Sequence, residues 1–356
     1  MEVDGELDEV AEALQKRPLR TPVPELHHPV TDDGVPLLLT RFHGGDRGPV
    51  ILAPGFGVST LSFTTDTVNM NLPEYLVSNG YDVWLLDYRA SPILPSARTR
   101  FTINDVAQRD WPAAVNMVRD HTGADSVQAL GHCVGSMSLL MGLLSGRVEG
   151  VRSVVSSQLT THPRTTTENR IKAWIRVAEW LDRFGVDTVT TDVRKGFRDE
   201  LFDVLLRANP IPREEDCQSP VCRRIFALYG ISYRHAQLND ATHRAIPAMF
   251  GMSGIGAFEH LSLIVRKGHV VDAGGGDSYM SHPDRLRIPI RFIAGAENQI
   301  FLPESSKLTY EWLQSANDPS LYSRTVIPDY GHMDCFVGRN AAIDVYPIVL
   351  EHLEGT

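Results

Sequence analysis

A cysteine set between two glycines, Gly131-His132-Cys133-Val134-Gly135, is the strongest chemical signal in the chain. It follows the apolar run Val127 to Leu130 and precedes a helix-forming stretch from Ser136 to Leu144. A G-x-nucleophile-x-G pattern at a strand–turn–helix junction holds its central side chain out of a sharp turn. The glycines let the backbone turn and let the helix pack close to the strand. The thiol then stands over a helix N-terminus, whose dipole favours a thiolate and the anion formed after attack. The plain alternative is a small buried apolar residue. The glycine pattern in this context favours the nucleophile.

The second signal is Tyr330-Gly331-His332-Met333-Asp334, just after the last expected strand. With thirteen histidines in the chain, position rather than residue type carries this reading. A histidine on that loop can drop onto the sheet's carboxyl edge and reach Cys133. A third member is expected after the strand Ile288 to Ala294, in Gly295-Ala296-Glu297-Asn298-Gln299. A cysteine–histidine pair can rest as thiolate and imidazolium, so an amide carbonyl suffices to orient the ring. Asn298 is preferred for that task and Glu297 is the near equal; loop capping is the bland use of both. Acyl transfer also needs two N–H donors aimed at the developing oxyanion. Val134 supplies one, and Pro54-Gly55-Phe56-Gly57 the other, from Phe56 with Gly57 next. An activated Cys133 should then be alkylated well below the free-cysteine pKa of about 8.5, and faster than Cys217, Cys222 or Cys335.

These groups need a frame to hold them. Short apolar strands (Val35 to Phe42, Pro49 to Ala53, Tyr81 to Leu86, Ser126 to Leu130, Val151 to Ser156) alternate with helices at Leu72 to Asn79, Val106 to His121 and Ser136 to Leu144. Such alternation predicts an α/β fold, a mostly parallel sheet with helices on both faces and functional loops at the strands' carboxyl ends. The first 30 residues read as an acidic helix and a Pro-rich lead-in. Residues 31–161 and 285–356 read as the core, with strands at Ile288 to Ala294 and Ser323 to Ile327 and a last helix over Ala341 to Leu353. Residues 162–284 read as a mainly helical cap, with helices at Glu168 to Phe184, Phe197 to Arg207 and Cys222 to Tyr229. Gly-rich loops are expected around Gly251 to Gly256 and Gly274 to Gly276. His132 and the cap aromatics Trp174, Trp180, Phe184 and Phe250 are the candidates for lining a substrate, ordinary helix packing being the alternative for the aromatics.

The chain has 356 residues, 42% apolar and 22% charged, with a formal charge of −10. That balance excludes a general nucleic-acid binder, because phosphate binding needs a basic surface. No run of about 18 apolar residues is present, so no membrane span is expected. The acidic start lacks the basic and apolar parts of an export signal, and four reduced cysteines in the cytoplasm are expected. Cys217 and Cys222 read as too isolated for a zinc site, and no metal is expected.

Leu52-Ala53-Pro54-Gly55-Phe56-Gly57, Gly80-Tyr81-Asp82-Val83-Trp84-Leu85, Gly131-His132-Cys133-Val134-Gly135-Ser136 and Tyr330-Gly331-His332-Met333-Asp334 resemble acid-lipase-type α/β-hydrolases. They look closest to the hydrolase domains associated with cholesterol-oxidase-like flavoproteins. The likeness covers about residues 30–160 and 285–355. The order nucleophile, acid, histidine is that of the superfamily, whose Gly-x-x-Asp aligns here with Gly295-Ala296-Glu297-Asn298. A cysteine at the elbow also resembles dienelactone hydrolases. A flavoprotein's Gly-x-Gly-x-x-Gly signature after an N-terminal strand is absent, so no flavin or other cofactor is implied. The resemblance implies small-molecule or carrier-bound esters or thioesters of apolar acyl groups as substrates. The expected activity is a cysteine-dependent acyl transfer, to water as a hydrolase or to an alcohol, amine or thiol as an acyltransferase. A non-catalytic ligand-binding protein on the same fold is the alternative from another class.

Overall fold

The computed structural model describes residues 17–183, 185, 187–191 and 211–356. The expected N-terminal acidic helix, the helix Phe197 to Arg207 and Phe184 lie outside the described residues.

Ten strands are present among the described residues: β1 Glu25–His27, β2 Leu38–His43, β3 Pro49–Ala53, β4 Asp82–Asp87, β5 Val127–His132, β6 Val151–Ser157, β7 Thr188–Thr190, β8 Met252–Gly254, β9 Ile290–Gly295 and β10 Tyr322–Ile327. Eight form one sheet in the order β1-β2-β4-β3-β5-β6-β9-β10. The first two join antiparallel, and every pairing from β4 to β10 is parallel. β3, β4 and β5 are buried along their whole length, as strands covered on both faces must be.

The period-two geometry of a strand sends alternate side chains into separate layers. Ile51, Trp84 and Leu86 join one apolar cluster with Met137 and Leu140. Val50, Leu52, Val83 and Leu85 join another with Phe336 and Tyr346.

Helix α1 (Leu72–Ser78) starts at a capping box, Asn71 with Glu74, which satisfies otherwise orphaned N–H groups. α2 (Trp111–Thr122) and α3 (Val134–Ser145) each stop at a glycine with positive φ, Gly123 and Gly146. α3 is apolar nearly all round and buried on every side up to Leu144, as befits a helix inside the core.

Between β6 and β9 lie α4 (Thr167–Trp174), α5 (Val177–Arg183), α6 (Pro220–Tyr229), α7 (Asp240–Met249) and α8 (Ile255–Lys267), with β7 and β8 paired antiparallel. This stretch departs from expectation in three ways. The helix expected over Glu168 to Phe184 is broken, because Arg176 has a φ of 58°. The expected Gly-rich loop at 251–256 is instead β8 and the start of α8. A Cβ on Gly254 or Gly256 would lie 2.6 Å from the Thr99 carbonyl oxygen or 2.7 Å from that of Phe101. Glycine there permits close packing rather than marking a loop. Finally, Ala257, Ile264 and Val270 belong to the same apolar cluster as Ile51 and Trp84, so α8 is seated on the main core.

α9 (Glu304–Ala316), not expected from sequence, packs beside β9 and β10. The last helix is split into Ala341–Asp344 and α10 (Tyr346–Glu354), with Pro347 in the first turn of α10, where proline is tolerated. Among the described residues no helix is long and apolar enough to cross a membrane.

Candidate active site

Steric need builds the elbow. Cys133 joins β5 to α3 at φ 53° and ψ −124°, a strained region for an L-residue that costs on the order of 1–3 kcal/mol. The strain is held by hydrogen bonds, Cys133 N–H to the Ser157 carbonyl at 2.9 Å and Met137 N–H to the Cys133 carbonyl at 3.0 Å. A Cβ on Gly131 would lie 2.6 Å from the Ser136 nitrogen, and one on Gly135 2.7 Å from the Ala53 carbonyl oxygen. Both positions therefore need glycine for α3 to sit against β5 and β3.

The backbone N–H groups of Val134 and Phe56 both point at the Cys133 sulfur. These are the two donors expected of an oxyanion hole. Gly57 contributes differently. Its φ is 70°, and a Cβ there would lie 2.5 Å from the Ser253 hydroxyl and would also meet that of Tyr229, so glycine admits the cap.

A cavity of about 200 Å³ opens over Cys133, with His132, Phe56, His332 and Phe250 in its wall. The aromatics Tyr229, Phe258 and Phe301, which sequence reasoning did not single out, also line it. Tyr229 and Phe258 pack against Phe56, with ring centroids 6.2 and 4.7 Å away. Trp174 and Trp180, expected in the wall, are instead 63% and 54% exposed. α4 and α5 turn their smaller residues Ala173 and Ala178 to the cavity, which a helical face permits and composition does not reveal.

His332 is buried beside the elbow, its ring 4.7 Å from that of His132. Its Nδ1 is buried without a hydrogen-bond partner. Neither expected orienting residue reaches it. The Asn298 side-chain oxygen accepts the N–H groups of Ile300 and Phe301 at 3.0 and 3.1 Å, and its Nδ2 donates to Gln158 at 2.8 Å. That is loop capping. Glu297 is 47% exposed and pairs with Arg234 at 3.5 Å.

Gln158, at the carboxyl end of β6, escaped sequence reasoning. Its side-chain oxygen accepts from Gly295 N–H and Asn298, and its Nε2 donates to Cys335 at 3.0 Å. It thus ties the β9 end to the His332 loop. The polar run Ser156-Ser157-Gln158 closing an apolar strand was the available signal. Asp334 accepts the Gly331 N–H at 2.7 Å and braces the same loop; burial raises its carboxyl to about 7. Cys335 is fully buried, a structural thiol.

Burial works against a resting thiolate and imidazolium. Burial pushes the Cys133 thiol up to about 12, against the lowering effect of the Val134 and Phe56 N–H groups. Burial, then the charge of His132, holds His332 well below the ordinary histidine range. Burial also takes His132 down to about 3. With no countercharge in a desolvated site, both members of a thiol–imidazole pair prefer neutrality. Iodoacetamide labelling of Cys133 in the resting protein should therefore rise about tenfold per pH unit from pH 7 to 10. Peptide mass mapping would follow it, and a plateau below pH 8 would mean a preformed thiolate instead.

A family profile described as alpha/beta hydrolase fold matches residues 48–339. The chain is 24% identical over 257 residues to Lipase 1 of Drosophila melanogaster, covering 68% of this chain and 55% of that protein. It is 22% identical to Lipase member K of Mus musculus across 93% of this chain and 87% of the other. Thus it spans about half the length of the first of these relatives and most of the second. The crystal structure of a Paleococcus ferrophilus monoacylglycerol lipase superposes with a TM-score of 0.57 at 15% identity, over 90% of this chain and 98% of that one.

Proposed function

The chain belongs to the alpha/beta hydrolase fold family, and we propose that it is a cysteine-dependent acyl-transfer enzyme acting on esters or thioesters of apolar acyl groups, with water as the acceptor. One observation carries the reading: the Cys133 sulfur sits at a strained elbow under the N–H groups of Val134 and Phe56, on the floor of an apolar cavity shared with His332. The names of the curated relatives, lipases, support an ester substrate.

Cys133 and His332 start neutral, so proton transfer accompanies attack. His332 takes the thiol proton as sulfur bonds to the acyl carbon, and the carbonyl oxygen becomes an oxyanion held by Val134 and Phe56. Collapse expels the alcohol or thiol, which receives the proton from His332, and leaves a thioester on Cys133. His332 then deprotonates water, whose attack releases the acid and restores the thiol. Asn298 acts here by holding the loop beneath the site with Gln158, and Glu297, paired with Arg234, takes no part in the chemistry. Four free thiols in the chain are compatible with a cytoplasmic location.

A specific feature favours a second acceptor. Cap aromatics and aliphatic side chains line the cavity over the sulfur, and apolar walls that limit water there would lengthen the life of a thioester for transfer to an alcohol, amine or thiol. The test is intact mass after incubation with short- and medium-chain p-nitrophenyl esters and acyl thioesters. Wild type should gain one acyl group that Cys133→Ala does not. Discharge by water alone, or only on adding amines or alcohols, then separates hydrolase from transferase. If wild type neither turns over nor gains the adduct, covalent catalysis fails and the ligand-binding alternative takes its place.

A further inference from the structure

Four metal-ligating side chains converge in the cap, away from Cys133. One donor atom from each of Cys217, Cys222, His235 and His243 lies within 4.8 Å of all the others. Along the chain, Cys217 and Cys222 have no histidines close by. The fold supplies them from two further segments. Twelve residues separate Cys222 from His235 and seven separate His235 from His243, with four between the cysteines.

Each segment is shaped for this meeting. Gln218 has a φ of 61°, which turns the short Cys217–Cys222 connection. Cys222 is in the first turn of α6 and His243 in that of α7. The Cys222 sulfur is buried, 3.3 Å from His243 Nε2, and accepts the Tyr233 hydroxyl at 3.1 Å. His235 presents Nδ1 to the Glu215 carboxylate at 2.8 Å. Its Nε2 is buried with no hydrogen bond of its own. A carboxylate on one imidazole nitrogen fixes the other as a lone-pair donor, the arrangement that supports histidine ligands in metal sites.

We propose that Cys217, Cys222, His235 and His243 form a structural zinc site that staples the cap. Two thiolates and two imidazoles in a closed set select Zn²⁺ among common divalent ions. Tetrahedral zinc with bonds of about 2.0–2.3 Å would hold its ligands about 3.3–3.8 Å apart, so only a small contraction of the cluster is needed. Binding deprotonates both thiols and releases those protons to solvent. The exposed side of Cys217 gives the ion a way in. Position supplies the purpose. Tyr229 closes the helix that carries Cys222, Phe250 follows the helix that carries His243, and both line the cavity. Between them, the Ser232 carbonyl accepts the Met333 N–H at 2.8 Å, beside His332. The staple therefore joins the cavity roof to the histidine loop. It does not depend on the acyl chemistry proposed above.

The test uses the full chain, purified under reducing conditions after growth with added zinc. Elemental mass spectrometry should find one zinc per chain, falling at least fivefold in a Cys217→Ser, His243→Asn double variant and unchanged in Cys133→Ala. Chelation should lower the melting temperature of wild type but not of the double variant. Cobalt(II) added to the chelated wild type should give intense tetrahedral ligand-field bands with thiolate charge transfer, a readout that needs no variant. Wild type with reduced cluster thiols and no zinc or cobalt uptake would overturn the proposal. So would zinc retained in full by the double variant, or a Cys217–Cys222 disulfide in the purified protein.

Discussion

Replacing Cys133 with alanine is expected to lower kcat/KM toward ester and thioester substrates by about 10⁴- to 10⁶-fold, the range seen when a nucleophile that works as one unit with its base is removed. Folding should survive, because the elbow is held by backbone hydrogen bonds to Ser157 and Met137 that alanine retains. Cys133→Ser is the sharper comparison. A hydroxyl there would meet the same two N–H groups, but His332 has no acceptor on Nδ1. A serine must lose a far more tightly held proton, and the imidazolium so formed would have no carboxylate beside it. Loss of about 10²- to 10⁴-fold is expected for serine, on the scale of losing the acid from a serine triad. Adding Asn298→Asp should not restore it, because that side chain is engaged by Ile300, Phe301 and Gln158. Steady-state kinetics with intact-mass adduct counting decides the matter. Alanine retaining more than a hundredth of wild-type activity would remove Cys133 from the chemistry, whereas serine matching cysteine would show that the site needs neither a thiol nor a carboxylate beside His332.

Gly295→Ala should be the most damaging substitution outside the reacting groups. Gly295 ends β9, and a Cβ there would press into the carbonyl oxygens of Gly331 and Tyr330, and lie 2.8 Å from the Tyr330 carbonyl carbon. All are backbone atoms of the turn that carries His332, so no flexible side chain can yield. Overpacking of this kind costs about 1–3 kcal/mol. A displacement of His332 by about 1 Å costs on the order of 10²-fold in rate. Gly123→Ala is the control, since its φ of 70° is strained but nothing lies within 4 Å of a Cβ there. It should lose some stability and keep kcat/KM. Thermal melts and kinetics on both proteins test the pair; unchanged activity in Gly295→Ala would show that the His332 loop is not held by this contact.

Much of the core was legible because it rests on local rules. Pro49–Ala53 is a strand as expected, and Asp82–Asp87 and Val127–His132 fall within a residue or two of their expected bounds, because buried parallel strands are short apolar runs between turn signals. The elbow was legible because its glycines answer a steric demand that any chain making that turn must meet. The cap was harder. Gly254 and Gly256 looked like loop residues because sequence cannot distinguish a glycine that bends from one that admits a neighbour. Trp174 and Trp180 looked like pocket walls because aromatic type says nothing about which way a helix is rotated.

By itself, then, the sequence determined the strand order along the chain, the elbow, and the loops that bring Val134, Phe56 and His332 to one sheet edge. Hydrophobic periodicity and backbone sterics are short-range, and they leave a readable imprint. The tertiary structure alone decided that Asn298 caps its own loop, that Glu297 turns to Arg234, that Gln158 ties β6 to the His332 loop, and that Cys133 and His332 are buried where desolvation favours their neutral forms. It alone brought Cys217 and Cys222 to His235 and His243. Those outcomes depend on desolvation and on the convergence of side chains from separate segments, which packing sets and spacing along the chain does not.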